Sequence, residues 1–170
     1  LRLTIGNILI SLLLLSTAFS ALETYYRFFC DTTDAFGLTR LTQRWFKRHY
    51  HLNNWGFRDN VDYGFSRPST KCRITFIGDS FTAGHGVAQV EALFANRIRA
   101  EKPDLEIHIL AQNGYDTGNE IELIRRVTAE GYQWDQVVLV YCLNDISDIV
   151  PEWQITLNRL YRQDQGFLVR

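Results

Sequence analysis

Gly78-Asp79-Ser80, Asn113-Gly114 and Asn144-Asp145 are the places in this sequence where residue type and setting suit acyl chemistry. Each follows an apolar run and puts a small or amide-bearing residue just beyond it. A serine leaving such a run at a tight turn can present its hydroxyl as a nucleophile. The backbone N–H of Ser80 and that of Gly114 can aim at one point, and the Asn144 side-chain amide can supply a third donor. Three preorganised donors stabilise the oxyanion of a tetrahedral acyl intermediate, and losing one typically costs about 3 kcal/mol of barrier. A structural reading stands beside each residue. Ser80 is a good helix N-cap, Gly114 suits a turn, and Asn144 suits the end of a strand.

A serine hydroxyl is a weak nucleophile without an adjacent base. The histidines are His49, His51, His85 and His108, and none follows Asn144. His85 lies five residues from Ser80, between Gly84 and Gly86. His108 sits in an alternating run, the setting of a packed or surface side chain. Arg58 is expected to be a structural partner for acids, with no catalytic role.

The elements that must position these residues show as alternating periods. "RITFIG" (73 to 78) and "LEIHILA" (105 to 111) read as strands. "QVVLVYC" (136 to 142) is a continuous apolar strand, the pattern of a strand covered on both faces. "VEALFANRIRAE" (90 to 101) places Val90, Leu93, Phe94 and Ile98 on one helical face. "NEIELIRRVTAEG" (119 to 131) is helical and closes on Gly131, and "EWQITLNRLYRQ" (152 to 163) starts a third helix after Pro151. The alternation predicts an α/β domain of three layers, α/β/α, with a parallel sheet and right-handed crossovers. Such sheets carry their chemistry at the carboxyl ends of the strands.

From Cys72 to about residue 150 the chain resembles the SGNH hydrolases, also called GDSL-type esterases. "GDSFTAG" (78 to 84) is similar to their first block, which carries the nucleophilic serine. "NGYDT" (113 to 117) is similar to the second, whose glycine supplies a backbone donor. "CLND" (142 to 145) is similar to the Gly-x-Asn-Asp third block, with Cys142 in place of the usual glycine. The resemblance implies a flavodoxin-like fold with the first strand in the middle, Ser80 as nucleophile, and Gly114 and Asn144 completing the oxyanion hole. It implies no cofactor, and an acyl ester or O-acetylated glycan as substrate. His85 falls in a variable loop slot of the pattern. "NNWGFRD" (53 to 59) resembles membrane-anchored bacterial members, some of which accompany polysaccharide O-acetylation systems.

One part of the pattern is missing. Its fourth block, Asp-x-x-His, supplies the base and the acid that orients it, and these 170 residues do not contain it. Two expectations follow. Either the chain is partial and its last strand and helix lie beyond it, or it is a degenerate member serving as a scaffold subunit of a membrane complex. The first leads to a membrane-anchored serine esterase, with an O-acyltransferase as its variant.

Composition narrows the alternatives. At 170 residues, 46% hydrophobic and 22% charged, the chain suits one domain with a real core. A net charge of -1 and the lack of a basic stripe argue against a nucleic-acid partner. Cys30, Cys72 and Cys142 are too few and too scattered for a disulfide framework or a metal site. Asp145 and Asp148 have no further spaced ligands. "GDSFTAGHG" lacks the lysine of a phosphate-binding loop, the spacing of a dinucleotide fingerprint and the second glycine of an α/β-hydrolase elbow.

Residues 3 to 22 carry no charge and are long enough to cross a bilayer as a helix. The aromatic "LETYYRFF" that follows favours an uncleaved anchor over a signal peptide cut near Ala18-Phe19-Ser20, or over a buried core helix. Arg2 alone precedes the span, while Arg27, Arg40, Arg44, Lys47 and Arg48 follow it. That bias alone points to a cytoplasmic domain, whereas the family resemblance points to a periplasmic or other extracytoplasmic one. The expected organisation is an anchor or signal at 1–22, a juxtamembrane linker at 23–71, and an incomplete α/β domain at 72–170. Within the linker, 38 to 50 reads as a basic amphipathic segment and 53 to 71 as turns and short strands.

Overall fold

The structure is a computed structural model and describes residues 2–33, 39–68, 70–143, 145, 150–153, 155, 156, 158 and 159. It divides into two compact units, Leu1–Phe46 and Lys47–Arg170.

The first unit opens with helix α1 (Arg2–Thr24), continued by a π-helical turn at Tyr25–Phe29. The most apolar 18-residue window within Thr4–Phe29 has a mean hydropathy of 2.0, and none of it is buried inside the molecule. The length and composition of Thr4–Phe29 suffice to span a hydrocarbon core of about 30 Å. The helix thus runs past the expected limit at Leu22 and takes the aromatic cluster with it. Threonines do not interrupt it, because their hydroxyls bond back one turn: Thr17 to the Leu13 carbonyl at 2.9 Å and Thr24 to the Ser20 carbonyl at 2.7 Å. Helix α2 (Arg40–His49) gathers Lys47, Arg48 and His49 in its last turn, where the helix dipole favours cations.

The second unit is mixed α/β. Its elements are β1 (Cys72–Gly78), α3 (Ser80–Ala83), a 3-10 turn at Val90–Ala92, α4 (Phe94–Glu101), β2 (Leu105–Ala111), α5 (Thr117–Ala129) and β3 (Gln136–Val140). The three strands are all parallel, in the order β2-β1-β3, with the first strand in the middle as expected. Gly78 stands opposite Ala111 on one side and Val140 on the other, so the three carboxyl ends are level.

Apolar side chains separate onto the two faces of the sheet. Ile77 and Leu110 pack with Leu123 and Val127 of α5 and with Phe57, Tyr63 and Tyr132. Phe76, Ile107, Ile109 and Ala111 pack on the other face with Ala83, Leu93 and Ala95. Helices on both faces explain the apolar character of β1 and β2, whereas β3, expected to be covered on both faces, is largely exposed among the described residues. Residues 53 to 65, expected as turns, do more than connect. The Asn53 carboxamide oxygen accepts from the N–H groups of Trp55 and Phe57 at 3.0 and 3.1 Å. This folds the segment so that Phe57 and Tyr63 enter the core.

Two boundary differences have a local cause. The helix expected at 90 to 101 is broken at Leu93, whose backbone is extended and whose side chain is buried. The Asn96 side chain bonds the Val90 carbonyl at 2.8 Å and stabilises the break. β3 stops at Val140 instead of residue 142, because Cys142 N–H turns to the Asp145 carboxylate at 2.7 Å. In the helix expected at 152 to 163, positions 154, 157 and 160 to 163 lie outside the described residues.

Candidate functional site at the strand ends

β1 delivers Ser80. After Gly78 the chain turns sharply, and Asp79 becomes the N-cap of α3, its Oδ1 accepting from Phe81 N–H at 2.9 Å. Asp79, not Ser80, therefore satisfies the open helix end. That removes the capping explanation for the serine. Ser80 is half-buried at the start of α3, and no described residue hydrogen-bonds its Oγ. Gly78 is required by space: a Cβ there would run into Thr82 and the Val140 carbonyl. The first turn of α3 thus lies directly against the ends of β1 and β3.

β2 delivers Gly114. Its φ is 80°, a left-handed conformation that glycine adopts without strain. A Cβ on it would meet nothing within 4 Å, so the turn faces open space. The preceding Asn113 ties this loop to its neighbours. Its Oδ1 accepts from the Tyr50 hydroxyl at 3.3 Å, and its Nδ2 lies 3.0 Å from His85 Nδ1. A carboxamide nitrogen only donates, so His85 accepts at Nδ1 and, when neutral, carries its proton on Nε2. Burial pushes the Tyr50 hydroxyl up to about 12, which keeps it a donor at neutral pH. His85 N–H also donates to the Ser80 carbonyl at 2.8 Å. The first and second sequence blocks are therefore joined through His85, a residue the sequence left without a role.

β3 leads to the third block. Asn144 lies outside the described residues. Its neighbour Asp145 is fully buried and accepts from Cys142 N–H, closing the turn.

Two further residues shape the site. Arg58 is fully buried, and its guanidinium donates to the carbonyls of His49 at 3.0 Å, Ala83 at 3.2 Å, Gly84 and Val87. It clamps the loop that follows Ser80. The acid-partner role expected of Arg58 falls instead to Arg99, which grips the Asp59 carboxylate at 2.9 Å through Nη1. Glu120 of α5 is 1% exposed, and neither carboxylate oxygen has a hydrogen-bond partner among the described residues. Burial, with Asp145, Asp79 and Asp116 nearby, pushes it up to about 7. Its inward position follows from the helical spacing of Glu120, Leu123 and Val127, a pattern readable in "NEIELIRRV". Among the described residues, no group of three or more metal-ligating side chains is placed to hold an ion.

Among the described residues, the arrangement brings a serine without a hydrogen-bonded Oγ, a left-handed glycine turn and a buried Asp145 carboxylate bonded to Cys142 N–H close to three level strand ends. Comparison with protein families, curated proteins and solved structures finds no match to this chain.

Proposed function

We propose that this chain carries the serine centre of a membrane-anchored acyl-ester hydrolase or acyltransferase with an SGNH-like fold. The observation that carries the reading is that Ser80 follows the end of the central strand and Gly114 the end of β2, with the end of β3 level with both. In this reading Ser80 Oγ attacks the acyl carbonyl and forms a tetrahedral oxyanion. The N–H groups of Ser80 and Gly114 and the Asn144 amide receive its charge. Collapse breaks the ester bond and releases the alcohol, leaving an acyl-serine that passes its acyl group to water or to an acceptor hydroxyl. The Ser80 proton goes to a base, the histidine of the Asp-x-x-His block in the family pattern. The Asn113 side chain engages His85 Nδ1, which speaks against His85 as that base.

The apolar N-terminal helix supports a single-pass anchor, and the family resemblance favours an extracytoplasmic domain acting on O-acyl groups of a glycan. A scaffold role within a membrane complex has one observation in its favour, the lack of Asp-x-x-His in these residues. Turnover separates the two. With the protein in its native membrane, acetate release from an activated acetyl ester and from an O-acetylated glycan is measured for wild type and Ser80→Ala. The esterase reading expects a loss of about 1,000-fold or more, whereas equal rates overturn it. Asn144→Ala is expected to lower the rate about 100-fold, as loss of one oxyanion donor does elsewhere.

A further inference from the structure

Three buried carboxyl groups, Asp79, Glu120 and Asp145, act on one another electrostatically, and they are not equivalent. Asp79 and Asp145 are fully buried, and each accepts from a backbone N–H, of Phe81 and Cys142 respectively. Glu120 approaches from α5, on the face that also buries Leu123 and Val127. It is just as buried, yet no donor among the described residues reaches either of its oxygens. The charged groups that face it are Asp145 from the turn after β3, Asp79 from the end of β1, and Asp116 from the start of α5. All three are acidic. A buried carboxylate among like charges, without a donor or a cation, is unstable relative to its protonated form.

We propose that Glu120 is the proton-carrying member of a buried acidic cluster with Asp79 and Asp145, and that losing this proton loosens the Asp79–Phe81 and Asp145–Cys142 hydrogen bonds. The inference rests on how the loops pack, and it holds whether or not Ser80 is a nucleophile. Asp79 sets the start of α3 and Asp145 sets the turn after β3, so a third negative charge between them pushes against the two groups that fix these loops. The direction of the Glu120 shift, up to about 7 from an ordinary 4.5, agrees with that placement. If opening restores the ordinary value, the opening equilibrium rises about tenfold between pH 6 and pH 8.

The test uses the whole chain in detergent, with glutamate labelled by 13C at the side-chain carboxyl. The sequence has eight glutamates. One resonance should titrate near neutrality, and that resonance should vanish in Glu120→Gln. Amide exchange at Phe81 and Cys142, corrected for intrinsic rates, should lose about tenfold in protection from pH 6 to pH 8 in wild type and stay level in Glu120→Gln. All eight carboxyls titrating in the ordinary range would overturn the proposal. So would an equal loss of protection in Glu120→Gln. If that variant does not fold, the wild-type titration and exchange decide alone.

Discussion

The two outer strands of the sheet are finished differently. β2 is closed on its free edge by side chains. The Tyr63 hydroxyl accepts from Ile109 N–H at 2.8 Å, and Arg99 donates to the Ile107 carbonyl at 2.6 Å. Asp59 holds both of these side chains. Ile107, Ile109, Leu110 and Ala111 are buried almost completely. β3 has no such closure among the described residues. Val137, Leu139 and Tyr141 are 44%, 47% and 49% exposed, and no charge occurs from Gln136 to Asn144. Exposed edges are normally blunted by charge, proline or a bulge, whereas strands inside parallel sheets are apolar throughout. The difference teaches that β2 is built as an edge, while β3 has the sequence of an inner strand.

Breaking the closed edge should produce the largest effect. Asp59 is fully buried, and although burial alone would raise its carboxyl, Arg99 and Tyr63 hold it below the usual range. Arg99→Ala leaves that charge without its cation and is expected to cost about 3–5 kcal/mol in urea denaturation. Asp59→Asn should cost less, because it removes the charge along with the pairing. A loss under about 1 kcal/mol in Arg99→Ala would mean that the edge is not closed in this way.

Acid should act on the same side of the molecule. His108 of β2 stacks on Tyr63 at 3.9 Å between ring centres and pairs its Nδ1 with the Tyr132 hydroxyl at 2.7 Å. Burial, then the nearby Arg73 charge, pushes it down to about 4 from an ordinary 6.5. A depressed folded value means that this contribution is complete above pH 6.5 and is lost as pH falls towards 4. Glu120 works the other way. Its raised value makes the fold gain stability as pH falls from about 7 to 4.5. The two contributions oppose each other across much of one window. Glu120→Gln should therefore steepen the acid loss of stability, and His108→Gln should flatten or reverse it. Parallel pH profiles for wild type and both variants would contradict this assignment.

The smallest change in stability is expected on β3. Leu139→Lys places a charge on an already exposed strand, so urea denaturation should shift by no more than about 0.5 kcal/mol. Self-association in detergent should fall, because the charge blunts an apolar edge. A loss of several kcal/mol would show that β3 is covered after all.

Much of the sheet was legible in the sequence. β2 was read to the residue because its alternation ends cleanly at Ala111, and the parallel direction followed from strand and helix alternation, whereas the central place of β1 came with the family resemblance. The closure of β2 was not legible. It depends on Tyr63 and Arg99 reaching a strand more than five residues away in sequence, a contact that no local period encodes. The ends of elements were misread where side chains take over from the backbone, as at Leu93 and at Cys142. At the candidate site, type and spacing picked out Ser80 and Gly114. They could not reveal that Asp79 takes the cap, that His85 bridges two loops, or that Arg58 spends its charge on carbonyls. Each of these depends on side-chain direction, which the one-dimensional pattern leaves open. Glu120 stood on a readable helical face, but acids there are ordinarily solvated, and only the packing shows it buried.

The central claim is that the middle strand ends in a nucleophilic serine. Covalent capture tests it most directly. The protein in its native membrane is treated with a fluorophosphonate, digested, and mapped by mass spectrometry, with Ser80→Ala in parallel. The account predicts phosphonylation at Ser80 in wild type and none on the corresponding peptide of the variant. Labelling that persists unchanged in Ser80→Ala, or an unmodified Ser80 where a control serine esterase in the same membrane reacts fully, would contradict it.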